Sequence, residues 1–294
     1  MTLRESLDQR TPLVADGASG TMLQNAGLPV GQAPETWVLE NPDAVRRLAA
    51  AYVDAGSDVI YTNTFGGNCI RLRLSGLEDR AAEINAGAVR LAREAIESSG
   101  RRVFLIASIG PTGEMLEPYG ELSEDEAREA FADQARLLAD AGVDGFACET
   151  FTGIEEALLC LGAVKEVARG LPMFASMAFE TSGRTMMGVA PGDAARELSA
   201  AGADVVGANC SVGPDVVEAA LRAMADAVPG IRLLGKPNAG LPRVEGGKTV
   251  YSVTPDEMAA FALRAVKHGA VVLGGCCGST PDHIRAIRAA IDSL

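Results

Sequence analysis

Short segments that are apolar at consecutive positions alternate along the chain with longer stretches whose apolar residues recur at helical spacing. The short segments are LVADG (13–17), DVIYTNTF (58–65), VFLIASIG (103–110), GFACETF (145–151), PMFASMAF (172–179), VVGANC (205–210), RLLGKPNAG (232–240) and AVVLGG (270–275). They lack the strict alternation of a half-exposed strand, which predicts strands of a parallel sheet buried on both faces. The stretches between them carry helix punctuation. NPDAVRRLAAAYVDAG (41–56) has Asn41 as cap, Pro42 in the first turn and Gly56 at its end. SEDEAREAFADQARLLADAG (123–142) opens on a capping box, Ser123 to Glu126, and closes on Gly142. Two later segments, 254–269 and 280–294, begin with the same Thr-Pro-Asp, a cap followed by a first-turn proline.

Strand and helix pairs in this number, with no Pro/Gly/Ser linker and no shift of composition, predict one (β/α)8 TIM barrel domain over residues 1–294. A doubly wound sheet is the other architecture the pattern allows. In a barrel, chemistry sits where strands end and βα loops begin. Those ends read Asp16-Gly17, Thr62-Asn63-Thr64-Phe65, Ser108-Ile109-Gly110-Pro111, Glu149-Thr150-Phe151, Asn209-Cys210, Pro237-Asn238 and Gly275-Cys276-Cys277, so polar and sulfur-bearing residues gather on one rim.

Composition narrows the function. The 294 residues carry 39 acidic against 26 basic side chains, a formal charge of -13, and no basic run longer than two residues. That balance argues against nucleic acid and anionic membranes as partners and for a small-molecule substrate. No stretch approaches the roughly 20 apolar residues of a membrane span, and the first residues lack the layout of a signal peptide, so a cytoplasmic protein is expected.

Six cysteines in a chain of this size and presumed compartment do not predict a disulfide framework. Cys69, Cys148 and Cys160 fall at positions where a cysteine acts as a small hydrophobe. Cys210 and the pair Cys276–Cys277 each close an apolar strand and open onto a glycine-containing loop, on the rim of the same mouth. Three thiolates converging there would make a zinc site with one open position, the catalytic pattern. Gly274, Gly275 and Gly278 would let adjacent cysteines reach one ion. Burial of all three remains open at this point, and so does a strained bridge between neighbours. The two histidines, His268 and His283, both lie in helical segments, poorly placed for a Ser-His or Cys-His pair.

Beyond this reading, DGASGTMLQ (16–24), GSDVIYTNTFGGN (56–68), SIGPTGE (108–114), ETF (149–151), GANCSVGP (207–214), KPNAGLP (236–242) and GGCCGSTPDHI (274–284) resemble the motifs of zinc-dependent homocysteine S-methyltransferases, in order over nearly the whole chain. That family includes the homocysteine module of cobalamin-dependent methionine synthase, the betaine-homocysteine enzymes and those using S-methylmethionine. The resemblance implies that Cys210, Cys276 and Cys277 hold Zn2+, that the homocysteine sulfur takes the fourth position, and that methionine is the product. It places the amino acid part of homocysteine near Asp16, Gly17, Thr21 and Glu149, with an acidic group for the ammonium and loop N–H groups for the carboxylate. For Asp16 and Glu149 a cap or loop hydrogen bond is the other role. Asn63, Phe65, Ser108 and Asn238 complete the expected substrate set, Asn63 and Asn238 either orienting these groups or closing turns.

The methyl donor is less determined. A small onium compound, such as glycine betaine or a sulfonium, is the favoured donor, and Trp37, Tyr61, Phe65, Tyr119 and Phe151 lie where an aromatic box could form. APETWVLENPDAV (33–45) and GRTMMG (183–188) lean towards betaine-type homologues, and KPNAGLPRVEGGKTVY (236–251) leans towards methionine synthase. The alternative is a homocysteine-activating subunit of a split methionine synthase, taking methyl from methylcobalamin on a corrinoid protein. With Leu294 one helix beyond GGCCG, the resemblance implies a chain without folate or cobalamin modules and without the extension through which animal betaine enzymes dimerise, and it leaves the oligomeric state open.

Overall fold

The computed structural model describes residues 1–210, 212–245 and 248–294. Ser211 of GANCSVGP and Gly246 and Gly247 of KPNAGLPRVEGGKTVY lie outside the described residues. The strands in chain order are β1 (Leu13–Val14), β2 (Val59–Tyr61), β3 (Phe104–Ile109), β4 (Gly145–Phe151), β5 (Met173–Met177), β6 (Val205–Asn209), β7 (Leu233–Lys236), β8 (Arg243–Glu245), β9 (Lys248–Val250) and β10 (Ala270–Leu273). The helices are α1 (Leu3–Asp8), α2 (Gly20–Asn25), α3 (Trp37–Glu40), α4 (Pro42–Asp54), α5 (Cys69–Arg73), α6 (Ala81–Ser99), α7 (Glu124–Ala141), α8 (Ile154–Val167), α9 (Pro191–Ala201), α10 (Pro214–Ala227), α11 (Pro255–Lys267) and α12 (Pro281–Asp292). Parallel pairing runs β1-β10-β7-β6-β5-β4-β3-β2, and a parallel bridge from Ala15 to Val59 closes the ring. This is the (β/α)8 barrel, with β8 and β9 forming an antiparallel hairpin inside the loop after β7.

Alternate residues of each strand explain why the segments read as apolar throughout. Leu13, Val59, Phe104, Ile106, Phe174, Val205, Leu234 and Val272 share one buried cluster with Leu3 and Leu7, so α1 closes the N-terminal end of the barrel. Their neighbours Val14, Ile60, Leu105, Phe146, Met173, Val206 and Leu233 belong to a second cluster with the outer helices. The expected capping box at Ser123 and Glu126 is present, and Gly142 ends α7 in the left-handed region at φ 92.

Several strands are shorter than the apolar segments suggest, β2 and β7 most of all. The segment 58–65 leaves the sheet after Tyr61, because the Thr64 carbonyl turns away to accept from Gly67 N and the Gln134 side chain. The segment 232–240 stops at Lys236 because Pro237 has no N–H with which to continue a ladder. The short helices α1, α2, α3 and α5 and the hairpin carried no periodic signal long enough to predict them. Among the described residues no helix is long and apolar enough to cross a membrane.

Gly207 of β6 pairs with Leu234 of β7, and a Cβ there would lie 2.0 Å from the Leu234 carbonyl oxygen. Gly207→Ala is therefore expected to cost about 1–3 kcal/mol of stability. A lowered midpoint in thermal or urea denaturation checks this, and an unchanged midpoint would contradict the close approach.

Candidate active site

The ends of β6, β7 and β10 lie side by side, and the loops that follow them bring three sulfurs together. Cys210 has φ 61, and its N–H donates to the Lys236 carbonyl at 3.1 Å. The Cys276 N–H donates to the next carbonyl on the same strand end, Pro237, at 2.8 Å. The last residues of β7 thus peg both cysteine loops. Gly275 must be a glycine, since a Cβ would lie 2.2 Å from the Ser279 hydroxyl oxygen. That hydroxyl in turn donates to the Cys276 carbonyl at 2.6 Å.

The sulfurs of Cys210, Cys276 and Cys277 all lie within 4.8 Å of one another, with Cys210 and Cys277 at 3.9 Å. Zinc–sulfur bonds of about 2.3 Å in a tetrahedron put sulfurs ~3.8 Å apart, so the donor set fits zinc in chemistry and spacing. No disulfide joins any of the six cysteines. The crowding has an electrostatic consequence. A hydrogen bond with Cys210 favours the Cys277 thiolate, yet Cys276 and burial push its pKa up to about 12. Cys276 is held well above the ordinary thiol value, first by Cys210 and then by burial. Three thiolates this close need a cation between them.

Above the apolar floor the strands end in a polar layer that borders the cysteines. Lys236, 4% exposed, donates from Nζ to Asp16 Oδ1 at 2.8 Å and stands 3.5 Å from the centre of the Tyr61 ring. The second Asp16 oxygen accepts from Tyr61 N at 2.7 Å. On the other side Ser108 Oγ donates to Glu149 Oε1, and Asn209 Nδ2 lies 3.3 Å from Oε2. Asn209 also donates to Thr150 Oγ1 at 2.7 Å and accepts from Thr150 N and Ser176 Oγ, which holds Thr150 at φ 68. Burial pushes the Glu149 carboxyl up, against the pull of Lys236 and Ser108. Burial also pushes Asp16 up, and the ammonium acts against it. For Lys236 burial favours the neutral amine, but Asp16 and Glu149 outweigh it and raise its pKa, so it stays charged.

A cavity of about 480 Å³ opens over these groups. Asp16, Gly17, Asn63, Phe65, Ser108, Glu149 and the three cysteines line it. Thr21 and Asn238 stand behind the lining. Thr21 Oγ1 accepts from Gly278 N at 3.1 Å and braces the cysteine loop, and Asn238 N donates to the Val212 carbonyl. Asn63 donates to the Pro34 carbonyl at 2.8 Å and pins the loop after β1. Asn209 stands among the polar strand ends read from sequence but outside the expected substrate set, and Lys236 is in neither, although a lysine inside the apolar RLLGKP is a signal for it. His283 caps α12 and bonds the Val253 carbonyl, His268 faces Glu218, and neither lines the cavity.

The expected aromatic box does not assemble among the described residues. Only Tyr61 and Phe65 of the five candidates line the cavity, and the ammonium of Lys236 already covers Tyr61. Trp37 packs with Leu23 and Leu91, Phe151 packs edge-on to Phe131 at 6.1 Å, and Tyr119 is 78% exposed. Apart from Met1 and Leu294, every exposed large hydrophobic among the described residues lies in a connection leaving the C-terminal end of a strand: Val30, Leu74, Met115, Tyr119, Met186, Met187, Leu241 and Val244.

Residues 13–291 match the model of a family described as homocysteine S-methyltransferase. Methionine synthase of Mycobacterium tuberculosis is 31% identical over 306 residues, covering 99% of this chain and 25% of that protein. The Mycobacterium leprae methionine synthase is likewise 31% identical, over 98% of this chain and 25% of its own. The chain thus spans about a quarter of the length of the curated relatives it matches. Among solved structures, the metallated form of homocysteine methyltransferase MmuM from Escherichia coli superposes with a TM-score of 0.82 at 23% identity, covering 98% of this chain and 99% of that one.

The raised pKa of buried Glu149 carries a sign for stability. A carboxyl whose folded pKa exceeds its unfolded value of about 4.3 opposes folding when ionised, and that opposition starts to fade as pH falls through the folded value and is gone below the unfolded one. Glu149→Gln is expected to leave the neutral-pH melting temperature unchanged or raised, with the gap to the parent protein narrowing as pH is lowered towards the unfolded value. Melting curves across that range check it, and a large loss at neutral pH would contradict it.

Proposed function

The chain belongs to the homocysteine S-methyltransferase family, and we propose that it transfers a methyl group to the sulfur of homocysteine, with zinc held by Cys210, Cys276 and Cys277, to give methionine. The observation that carries this reading is the meeting of three sulfurs on the floor of a cavity whose other groups suit an amino acid. Zinc bound there would supply the Lewis acidity that turns the substrate thiol into a thiolate at neutral pH. The residues around it do the rest. Glu149, kept in place by Ser108 and Asn209, offers a carboxylate to the substrate ammonium. Asn63, Phe65 and Gly17 shape the cavity wall, and Thr21 and Asn238 support it from behind. The apolar floor keeps bulk water from the sulfur. Thiols that must stay reduced suit the cytoplasm.

A small onium donor is supported by the size of the cavity, which can take homocysteine and a compact second molecule, and by the carboxylate of Glu35 among its lining. A second reading, methylcobalamin presented by a corrinoid protein, is favoured by two observations. Of the five candidate aromatic side chains only Tyr61 and Phe65 line the cavity, with Lys236 over Tyr61, and exposed apolar side chains lie on the connections at the mouth end of the barrel, where a protein would dock.

The purified protein is expected to carry about one zinc per chain, and Cys276→Ser or Cys277→Ser to lose most of the metal and at least about 100-fold in rate, given the closeness of this set to known three-thiolate sites. Metal analysis and methionine formation measure both, and full activity without bound metal would refute the reading. Donor identity is read by supplying homocysteine with glycine betaine, dimethylsulfoniopropionate, S-methylmethionine or methylcobalamin in parallel. Turnover with methylcobalamin alone would sink the onium donor.

A further inference from the structure

We propose that Asn85 and Gln134 act as positioning residues for methyl transfer: from helices outside the barrel they hold the loop after β2 as the wall facing the three sulfurs. This rests on reading the cavity as the place where homocysteine meets its methyl donor. Packing alone would not choose two amides on these helix faces. Asn85 of α6 is 0% exposed and Gln134 of α7 is 1% exposed, on faces whose other buried members include Ile84, Ala88, Phe131 and Leu138. Gln134 Nε2 donates to the Thr64 carbonyl at 2.8 Å and to Asn85 Oδ1 at 3.2 Å. Asn85 Nδ2 donates to the Gly67 carbonyl at 2.8 Å and, back along its own helix, to the Ala81 carbonyl at 2.8 Å. Gln134 Oε1, by contrast, is buried without a hydrogen-bond partner among the described residues. An unmatched buried oxygen opposes folding, so it is the donor end of this side chain that the fold retains. Gly67 leaves room for both amides, since a Cβ there would lie 2.7 Å from Asn85 Oδ1 and 2.8 Å from Gln134 Nε2.

Thr64 and Gly67 are the two ends of a tight turn, closed by Gly67 N donating to the Thr64 carbonyl at 2.9 Å. The residues between them line the cavity. Phe65 is tied to the next strand end through its carbonyl, which accepts from Gly110 N at 2.8 Å, and Gly66 N donates to Glu35 Oε1 at 2.6 Å. The two amides thus fix, from outside, the carbonyls that bracket Phe65 and Gly66. Neither amide lines the cavity itself. Around the ring β6 is the fourth strand from β2 in either direction, so this turn stands across the mouth from Cys210. A donor lying between them must bring its methyl group in line to the sulfur, and the wall sets how far it can draw back. Misplacement by about 1 Å is enough to lower a rate by up to about 100-fold.

The test uses the zinc-loaded full chain, the variants Gln134→Met and Asn85→Ala, and whichever methyl donor turns over with homocysteine. Both variants are expected to keep zinc content and homocysteine affinity within about twofold, by metal analysis and calorimetry, and to lose about tenfold in kcat. Hydrogen exchange read by mass spectrometry should quicken in peptides covering residues 62–67 and stay unchanged in those covering 205–210 and 270–277. The two variants combined should lower kcat little beyond the stronger single one, because both act on one turn. Should Gln134→Met fold poorly, Asn85→Ala, which places a good helix former in α6, carries the same readouts. A lowered melting temperature with kcat unchanged would show a role confined to stability and overturn the proposal. So would a fall in zinc or homocysteine binding parallel to that in kcat. No methionine from the unaltered protein with any donor would remove the homocysteine reading. Exchange at residues 62–67 then decides the clamp by itself, and unchanged exchange there would overturn it.

Discussion

Three sulfur atoms within 4.8 Å of one another are the constraint around which this mouth is built. Left without a cation, they resist ionisation, and both members of the adjacent pair sit far above an ordinary thiol. Holding them together therefore falls to the backbone. The strand between the two ligand strands and the residue after it do this: β7 ends on the Lys236 carbonyl, which accepts from Cys210, and the Pro237 carbonyl just beyond it accepts from Cys276. Glycines at 275 and 278 remove the Cβ atoms that would collide with Ser279 and Tyr251, so the loop after β10 can bend back. The positive φ at Cys210 is the remaining strain, kept because its N–H is anchored.

The same strand places a charge among the sulfurs. Lys236 follows Gly235 at the end of β7, its side chain over Tyr61 and against Asp16, on the barrel interior. Buried pairs of this kind are weak sources of stability, because desolvation offsets much of the Coulomb gain. What they secure is a fixed charge pattern: one carboxylate hydrogen-bonded to the ammonium, a second that feels the ammonium without a hydrogen bond to it, and the ammonium itself. Glu149 is the costly member, buried, ionisable and held only by neutral donors. A group that burdens the fold and lines the cavity is where binding and stability pull in opposite directions.

Around this centre the donor side is less built. The aromatic side chains that sequence placed near the mouth are dispersed by packing, Trp37 and Phe151 going to two different cores. Of the apolar residues exposed on the βα loops, Leu74 lines the cavity and the others lie outside its lining. An inward-facing pocket for the acceptor and an outward-facing apolar rim are different kinds of surface, the first suited to a small polar molecule and the second to another protein.

The barrel was legible in the chain because a strand buried on both faces must be apolar at consecutive positions, and eight such runs with capped helices between them admit few closures. Cys210, Cys276, Cys277 and Glu149 were legible for a related reason, since each interrupts an apolar run at its C-terminal end, where a barrel opens. Which of the polar strand ends touch, and which only brace a loop, was decided in three dimensions. Thr21 and Asn238 went to bracing, and Lys236 and Asn209 entered the layer, because the roles of Thr21, Lys236 and Asn209 depend on partners more than fifty residues away and that of Asn238 on a neighbouring loop. Local sequence carries the period of burial. The pairing of charges depends on which strand becomes the neighbour of which, and only closure of the ring sets β7 between β6 and β10.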